Sequence, residues 1–253
     1  MNRFFKKNLG KLLKSYQRRK GIFKSTNIET YAFCNRKCYF CFNNERFPDR
    51  DKGIMEEGLY YKIIDELASI NYAGRISPHF YGEPLLDKRL TKFVAYARKT
   101  CPYAHIRFGT NGDFLTRDLL VELVDSGLSR VVITNYDDVR KENLIKLSQE
   151  FSQYVVLRSY KDIRLVNRAG VIFDKESQNI DKPCLRPCSQ LVINWKGNVL
   201  LCCNDYYERY VFGNVNDKSI FEIWTSCELK KYRELLQKQG GRRQVDICRN
   251  CDI

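Results

Sequence analysis

Three cysteines lie within eight residues of one another in the segment CNRKCYFC, residues 34–41. They are Cys34, Cys38 and Cys41, separated by three residues and then by two, with no fourth cysteine nearby. Thiolates of this kind bind zinc or iron–sulfur clusters. A closed zinc site needs a fourth protein ligand, and the nearest histidine is His79, far along the chain. The triplet therefore indicates a metal centre that leaves one coordination position open.

The cysteine count indicates metal binding and argues against a disulfide scaffold. The chain has 11 cysteines, an odd number, among 253 residues. We find no signal peptide and no apolar run long enough to span a membrane, and the N-terminus is polar and basic. We therefore expect a reduced, cytosolic protein whose thiols bind metal.

Apolar residues alternate between strand-like and helix-like spacing along the chain, and this pattern predicts the elements that would position these cysteines. A chain of this length that is 43% apolar can bury one sizeable core. Alternating strand and helix patterns favour an α/β fold with a parallel sheet, curled as a full or partial barrel, with its chemistry at the carboxyl ends of the strands. Thr116 is a plausible N-cap and Gly127 a plausible helix stop. The predicted strands are 27–33, 75–81, 104–109, 130–134 and 154–158, and the predicted helices are 59–70, 88–99, 117–125 and 141–151.

The cysteine triplet directly follows the first predicted strand, and this arrangement resembles the signature of the radical S-adenosylmethionine (SAM) superfamily. The resemblance implies a partial (β/α) barrel over residues 25–175. It also implies a [4Fe-4S] cluster on the three cysteines, whose fourth iron binds the amino and carboxylate groups of SAM.

Other segments resemble the SAM-binding motifs of that family. "FYGEP" looks like its GGEP motif, with Tyr81 in place of the first glycine. The resemblance implies that Gly82 lets the backbone approach the methionine moiety and that Glu83 accepts from its ammonium. Asn111 in "TNG" would bind the SAM ribose or carboxylate, and Phe40 would lie by the adenine. An ordinary turn at Asn111 and packing at Phe40 are the alternatives.

The C-terminal third, residues 176–253, resembles the SPASM/Twitch auxiliary domain of the same superfamily. Because no further cysteines follow the last pair, we expect the short, Twitch-like form with one auxiliary [4Fe-4S] cluster. A four-thiolate zinc site would use the same ligands and stays open as an alternative. The resemblance implies that the auxiliary ligands are Cys184, Cys202, Cys248 and Cys251.

Four cysteines remain outside the two ligand sets. We predict that Cys101 and Cys227 are small buried hydrophobic residues. Cys188 and Cys203 flank the auxiliary ligands, and either could supply a hydrogen atom from its thiol to a substrate radical. His79 and His105 fall in or beside strands without a carboxylate partner, and we interpret them as structural.

The resemblance extends to radical SAM dehydrogenases that oxidise a secondary alcohol of a cyclitol. Four segments carry it, and by position Arg168 would match a substrate-contacting arginine, whose guanidinium can bind hydroxyl oxygens through paired donors. A salt bridge to the sheet edge is the alternative. The basic N-terminus, Cys188 and Cys203 depart from this pattern. The segments are "AGRISPHFYGEPLL" (73–86), "TNGDFLT" (110–116), "NRAG" (167–170) and "GNVLLC" (197–202).

The N-terminal 24 residues form a basic arm with nine lysines and arginines and no acidic residue, within a net charge of +14. Apolar residues recur among them at helical spacing, which predicts an amphipathic helix that lies on an anionic membrane surface or packs on the protein body. The first arrangement would place a cytosolic protein at the inner face of the membrane, near a lipid-linked substrate.

We therefore predict a radical SAM oxidoreductase with two [4Fe-4S] clusters. It would oxidise a secondary alcohol of a small polyol, sugar or cyclitol to a ketone, with the auxiliary cluster accepting an electron from the substrate radical. A low-potential flavodoxin or ferredoxin would be the electron donor. Epimerisation through Cys188 or Cys203 and peptide modification are alternatives, although the short arm does not resemble a leader-binding wing. A basic zinc protein that binds nucleic acid is the alternative from a different class, but the arm lacks interleaved stacking aromatic residues.

Overall fold

Eight strands form a single sheet in the order β5-β4-β3-β2-β1-β6-β7-β8. The computed structural model describes residues 3–43, 47, 50–137, 141–173 and 180–253. Strands β1 to β6 pair with one another in parallel, and β7 and β8 continue the sheet in antiparallel pairing from β6. The strands are β1 (Ser25–Ile28), β2 (Arg75–Ser77), β3 (His105–Thr110), β4 (Arg130–Asn135), β5 (Val155–Ser159), β6 (Gln190–Ile193), β7 (Asn198–Leu200) and β8 (Val211–Asn214).

Helices connect the parallel strands, as the alternating pattern predicts. The side chain of Thr116 accepts from the backbone N–H of Leu119, which confirms it as an N-cap. Gly127 follows the same helix with φ at 97°, a left-handed conformation that suits glycine. The helices are α1 (Arg3–Arg19), α2 (Glu57–Ser69), α3 (Leu90–Thr100), α4 (Arg117–Asp125), α5 (Glu142–Glu150), α6 (Arg186–Ser189), α7 (Ile220–Trp224), α8 (Cys227–Leu236) and α9 (Asp246–Arg249).

The predicted elements between 57 and 159 are confirmed, but the first two strands are shorter than predicted. After Ile28 the chain leaves the sheet: Tyr31 forms an isolated antiparallel bridge with Ile54, and the N–H of Ala32 donates to the carbonyl of Gly53. The apolar residues Tyr31, Ala32 and Phe33 therefore lie in a loop that carries the cysteine triplet away from β1. Apolar character alone does not distinguish such a buried loop from a strand.

Two cysteines outside the ligand sets behave differently from each other. Cys101 is buried in the core, as predicted, and its thiol lies 3.5 Å from the carbonyl oxygen of Ile64. The prediction for Cys227 was wrong, because this residue is exposed at the start of α8, directly after the N-cap Ser226. The first turn of a short surface helix faces solvent there.

The basic arm packs on the body of the protein through one side of α1. The buried amide of Gln17 donates to the carbonyls of Ile70 and Asn71, at 3.1 Å each, and its oxygen accepts from the N–H of Ala73 at 3.0 Å. On the opposite side, Leu12 and Tyr16 are 68% and 54% exposed. No helix in the described ranges is both long and apolar enough to cross a bilayer.

The C-terminal third continues the central sheet. Strand β6 pairs in parallel with β1, from Ser25 opposite Gln190 to Ile28 opposite Ile193. This pairing places the loops that carry the C-terminal cysteines at the same sheet as the loop that carries the cysteine triplet. Local patterns did not predict this strand, because β6 is four residues long and its partner lies more than 160 residues earlier in the chain.

Candidate active site

A cavity of about 350 Å³ lies at the carboxyl ends of the parallel strands. Cys34, Cys38 and Cys41 all line it, together with Glu83 from the loop after β2 and Asn111 from the loop after β3. Parallel α/β folds place their ligands at this end of the sheet. We call it the main cavity.

The cysteine loop fits an iron–sulfur cluster. The backbone N–H groups of Arg36 and Asn43 donate to the sulfurs of Cys34 and Cys41, at 3.5 and 3.4 Å, as N–H groups do around cluster thiolates. Burial raises the pKa of Cys34 to about 11 and raises the pKa of Cys38 as well. Thiolates in this loop therefore depend on coordination to a metal, which deprotonates a bound thiol.

A network of ion pairs holds the cysteine loop against the loops after β3 and β4. Arg36 pairs with Asp113 at 2.5 Å and with Asp137 at 2.9 Å, and Lys141 contacts Asp113 at 2.6 Å. Hydrogen bonding to Arg36 is the main cause that holds the pKa of both carboxyl groups below their usual range. The loop between the cysteines is therefore fixed before any cofactor binds.

Glu83 is buried at the edge of the main cavity, where it accepts three hydrogen bonds. The hydroxyl of Thr110 donates at 2.6 Å, and the backbone N–H groups of Asn111 and Leu85 donate at 2.9 and 3.0 Å. Burial raises the pKa of Glu83, and these donors partly oppose that effect. A carboxylate oriented in this way can still accept from an ammonium group, which is the role that the sequence resemblance implies.

The other residues assigned to SAM are also in the lining of the main cavity. The ring of Phe40 lies 5.7 Å from that of Tyr136 and 6.4 Å from that of Tyr160, nearly parallel to the latter. This cluster offers a flat apolar surface of the kind that binds an adenine. The side chain of Asn111 donates to Asn35 at 2.8 Å and accepts from the N–H of Asp113 at 2.9 Å, so its main contacts are within the protein.

Gly82 is required by packing of the protein itself. A Cβ at this position would lie 2.0 Å from the carbonyl oxygen of Tyr31 and 2.8 Å from that of Phe33. Any side chain would therefore push the "FYGEP" segment away from the cysteine loop. The hydroxyl of Tyr81, next to it, donates to the carbonyl of Cys203 at 3.1 Å.

A second cavity, the auxiliary cavity, brings together the four C-terminal cysteines assigned to one centre. Its volume is about 20 Å³, much smaller than that of the main cavity. The amide of Asn204 donates to the sulfur of Cys251 and its backbone N–H donates to that of Cys202, each at 3.4 Å. Burial raises the pKa of Cys248 to about 12. The cysteines in its lining are Cys184, Cys202, Cys248 and Cys251.

The auxiliary cavity has the donors and charges that suit a closed cluster. Arg186 and Arg242 both line it and can offset the negative charge of four thiolates. Across the described ranges, no three His, Cys, Asp or Glu side chains are close enough to hold a single metal ion. Four thiolates in one lining, with two cations beside them, can hold a closed cluster.

The segment "NRAG" separates the two cavities. Arg168, Ala169 and Gly170 have φ values of 52°, 58° and 82°, a run of left-handed residues that is unusual outside functional sites. Arg168 lines the main cavity, whereas Ala169 lines the auxiliary cavity. Asn167 fixes the segment, because it exchanges backbone and side-chain hydrogen bonds with Asp252 at 3.0 to 3.2 Å.

The two remaining candidate cysteines lie in different places. Cys203 lines the main cavity, and its sulfur accepts from the guanidinium of Arg186 at 3.0 Å. Cys188 is outside the lining of both cavities, and its thiol lies 3.9 Å from the carbonyl oxygen of Arg233. Only Cys203 is placed to meet a substrate in the main cavity.

Sequence reasoning missed several polar residues of the main cavity, among them His79 and Arg158. His79 lines it, although it was interpreted as structural, and burial lowers its pKa to about 4. Arg158 enters from β5 and donates to the hydroxyl of Thr134 at 3.1 Å. Both lie near strand ends, and that position was the available signal.

Comparison with known proteins identifies the family. The radical SAM superfamily model matches residues 28–135, and the model of an iron–sulfur cluster-binding domain, SPASM, matches residues 184–252. The S-adenosyl-L-methionine-dependent 2-deoxy-scyllo-inosamine dehydrogenase of Niallia circulans is 32% identical over 235 residues, which are 91% of this chain and 93% of that protein.

Two solved structures share the fold over most of their length. BtrN in complex with AdoMet and 2-DOIA has a TM-score of 0.83 and 32% identity, covering 92% of this chain and 94% of the other. BtrN in an open conformation has a TM-score of 0.72 and 31% identity, covering 92% and 93%. The matches confirm the predicted fold class and imply a SAM-binding and an auxiliary [4Fe-4S] cluster, so this chain is a member of the radical SAM superfamily with a C-terminal SPASM iron–sulfur domain.

Proposed function

We propose that this enzyme oxidises a secondary alcohol of a small cyclitol, sugar or polyol to the ketone. The observation that carries the proposal is the pair of cavities that the "NRAG" segment borders. One has the cysteine triplet and room for a substrate, and the other has the four C-terminal thiols in its lining. The similarity to a cyclitol dehydrogenase along nearly the whole chain supports it. Membership in a family of radical enzymes removes the alternative of a zinc protein that binds nucleic acid.

The protein's own residues would prepare the substrate for reaction. When bound, SAM and the two clusters supply a 5′-deoxyadenosyl radical that abstracts hydrogen and an acceptor for the electron that the substrate then loses. Glu83 would orient the SAM ammonium, and Phe40 would pack on the adenine. Arg168 would bind substrate hydroxyl oxygens through paired N–H groups. Substrate and SAM bound in the main cavity would exclude water from the reacting carbon.

His79 is the group we assign to accept the hydroxyl proton, because an alcohol must lose it to become a ketone. Burial keeps its imidazole neutral at neutral pH, with a pKa of about 4. Glu83 is less suited to this task, since three donors already occupy its oxygens. A neutral imidazole in the lining of the main cavity can accept this proton.

Epimerisation is the second candidate function, and the position of Cys203 favours it. A thiol that lines the substrate cavity can return a hydrogen atom to the carbon from which one was taken. The two functions share every cofactor and differ in the fate of the substrate radical.

Deuterium at the carbinol carbon separates the two functions. The reconstituted enzyme would be incubated with SAM, dithionite and a panel of cyclitols and sugars deuterated at single carbons. Dehydrogenation predicts deuterated 5′-deoxyadenosine and a ketone in equal amounts, unaffected by Cys203→Ala. Epimerisation predicts an inverted alcohol that carries solvent hydrogen and is lost in Cys203→Ala but retained in Cys188→Ala. Uncoupled SAM cleavage with every compound would contradict both proposals.

The exposed side of α1 supports a proposal about location. Leu12 and Tyr16 are exposed among basic residues, as in helices that lie on anionic lipid. We propose that the enzyme docks through this side of α1 at the inner face of the membrane and so reaches a lipid-linked substrate. Because Gln17 anchors the other side of the helix, Leu12→Glu is a better test than deletion of the arm. It should reduce sedimentation with phosphatidylglycerol vesicles, and unchanged sedimentation would refute the proposal.

The electron donor is proposed as a low-potential flavodoxin or ferredoxin. The chain is strongly basic, at +14, which favours encounter with an acidic partner. Salt should therefore slow reduction by such a donor but not reduction by dithionite. An equal effect on both would argue against electrostatic docking.

A further inference from the structure

A third cavity, of about 300 Å³, lies at the amino-terminal ends of the strands, away from both cluster cavities. It is bounded by α1 on one side and by the first residues of β2 and β3 on the other. None of its lining residues belongs to the main or the auxiliary cavity. The lining consists of Lys14, Gln17, Arg18, Ile22, Phe23, Lys24, Gly74, Arg75 and His105.

The charges around this basal cavity are all of one sign. Lys14, Arg18, Lys24 and Arg75 contribute four basic side chains, and the described lining contains no carboxylate. None of the four takes part in an ion pair within the described part of the chain. Like charges gathered without a counter-ion repel one another, so an anion in this cavity would be stabilised by all of them.

One donor atom of these cations is buried without a partner. The Nε of Arg75 is shielded from solvent and has no hydrogen-bond partner in the structure. A buried donor left unsatisfied costs stability, and a guanidinium donor is suited to phosphate oxygens. Arg75 lies at the start of β2, so its backbone is fixed by the sheet.

Neighbouring titratable groups report the same positive potential. Burial, and then the charge of Arg18, lowers the pKa of Lys14. Burial, and then the nearby cations with Lys14 first among them, lower the pKa of His105 to about 4. A bound anion would raise both values.

The cavity is built from rigid parts. Gln17 ties α1 to the loop before β2 through three hydrogen bonds. Phe23 is buried, with its ring 5.3 Å from that of Tyr72 and 5.0 Å from that of Trp224. Lys14 and Arg18 are therefore held over the strand ends by a fixed helix, which lowers the entropic cost of binding a ligand.

We propose that the basal cavity is a binding site for a phosphate-bearing ligand, separate from the catalytic centre. Its volume exceeds what a lone carboxylate needs, and the four cations of its lining suit the multiple charges of a diphosphate or of a phospholipid headgroup. Lys and Arg are the side chains that proteins use for phosphate groups. The shared chemistry is a phosphate ester or anhydride, supplied by a soluble compound or by lipid.

The test compares two substitutions that each remove one positive charge from α1. Pyrophosphate and orthophosphate would be titrated calorimetrically into the full-length reconstituted protein. Lys14→Gln alters the cavity, whereas Lys11→Gln alters an exposed position of the same helix outside it. Because Lys14→Gln removes one charged hydrogen bond, it should weaken pyrophosphate binding by about tenfold or more. Lys11→Gln should change it less than about twofold, because an exposed charge is largely screened.

The outcomes decide the proposal and then the source of the phosphate. Absence of pyrophosphate binding, or equal weakening in both variants, would overturn it, because the second result describes a diffuse surface charge. Circular dichroism and iron content should match the unsubstituted protein, and Arg75→Gln provides an independent variant from the sheet. If pyrophosphate displaces the protein from phosphatidylglycerol vesicles, the site takes headgroups; if it binds without displacing them, the site takes soluble phosphates.

Discussion

The buried ion pair between Glu29 and Arg50 gives the sharpest prediction about stability. Their side chains are 0% and 2% exposed. The Arg50 guanidinium also lies 4.7 Å from the centre of the Tyr81 ring and 5.4 Å from that of Tyr206. The pair therefore joins the loop after β1 to the "FYGEP" segment and to the C-terminal region.

Arg50→Met should be strongly destabilising, since it leaves the Glu29 carboxylate buried without its cation. Breaking a buried pair in this way costs about 3–5 kcal/mol. For a chain of this size, about 2–4 °C of melting temperature corresponds to each kcal/mol, so we expect a loss of roughly 6–20 °C. Thermal unfolding of the reconstituted protein, followed by circular dichroism, measures it.

Two controls and the pH dependence separate the buried charge from lost packing. The double variant Glu29→Gln/Arg50→Met should recover most of the loss, and Arg117→Met, which breaks an exposed pair with Glu150, should have little effect. Burial already raises the pKa of Glu29, and removal of Arg50 raises it further. A group with a raised folded-state pKa destabilises as pH rises, so the deficit of Arg50→Met should shrink from about pH 8 to about pH 5.5. A deficit that is independent of pH and persists in the double variant would refute the reasoning.

Three further predictions concern the cavities. Cys38→Ala and Cys248→Ala should each lower the iron content by about four per chain. SAM cleavage should be abolished only in Cys38→Ala. Loss of all iron in either variant would contradict the presence of two separate centres. Glu83→Gln should weaken SAM binding by about tenfold or more, because it removes one charged hydrogen bond; equilibrium dialysis measures this, and unchanged affinity would place the ammonium elsewhere. Folding lowers the pKa of His79 from 6.5 to about 4, so the unfolded chain binds the proton first, and the free energy of unfolding falls by about 3 kcal/mol at most as pH drops from 6.5 to 4. In His79→Gln, urea unfolding should show a smaller fall in this free energy over the same pH range. An unchanged fall would show that His79 is already solvated.

The sequence was sufficient to predict the parts of the site that follow strand ends. Cys34, Glu83 and Asn111 each come shortly after an apolar run, and a parallel sheet brings such positions together. Periodicity also predicted the bounds of α4 closely, because Thr116 and Gly127 are strong local signals.

Contacts between distant segments were not predictable in this way. Glu29 and Arg50 are ordinary charged residues until the loop after β1 folds back on the chain. The hydrogen bonds between Asn167 and Asp252 join residues that are 85 positions apart, and no local pattern marks either residue. His79 was interpreted as structural because a partner carboxylate was sought in sequence, whereas its position in the cavity depends on where β2 ends.

The position of β6 beside β1 has a consequence for dividing this protein into modules. Strand β1 is hydrogen-bonded on one side to β2 and on the other to β6, and its residues Thr26 and Ile28 are fully buried. A chain cut before Gln190 would leave β1 as a bare edge strand, with unpaired N–H and C=O groups beside apolar side chains. Such edges template aggregation. Exchange of the cluster-binding C-terminal region between related enzymes should therefore yield well-behaved protein only when β6 is transferred with a partner strand that it fits.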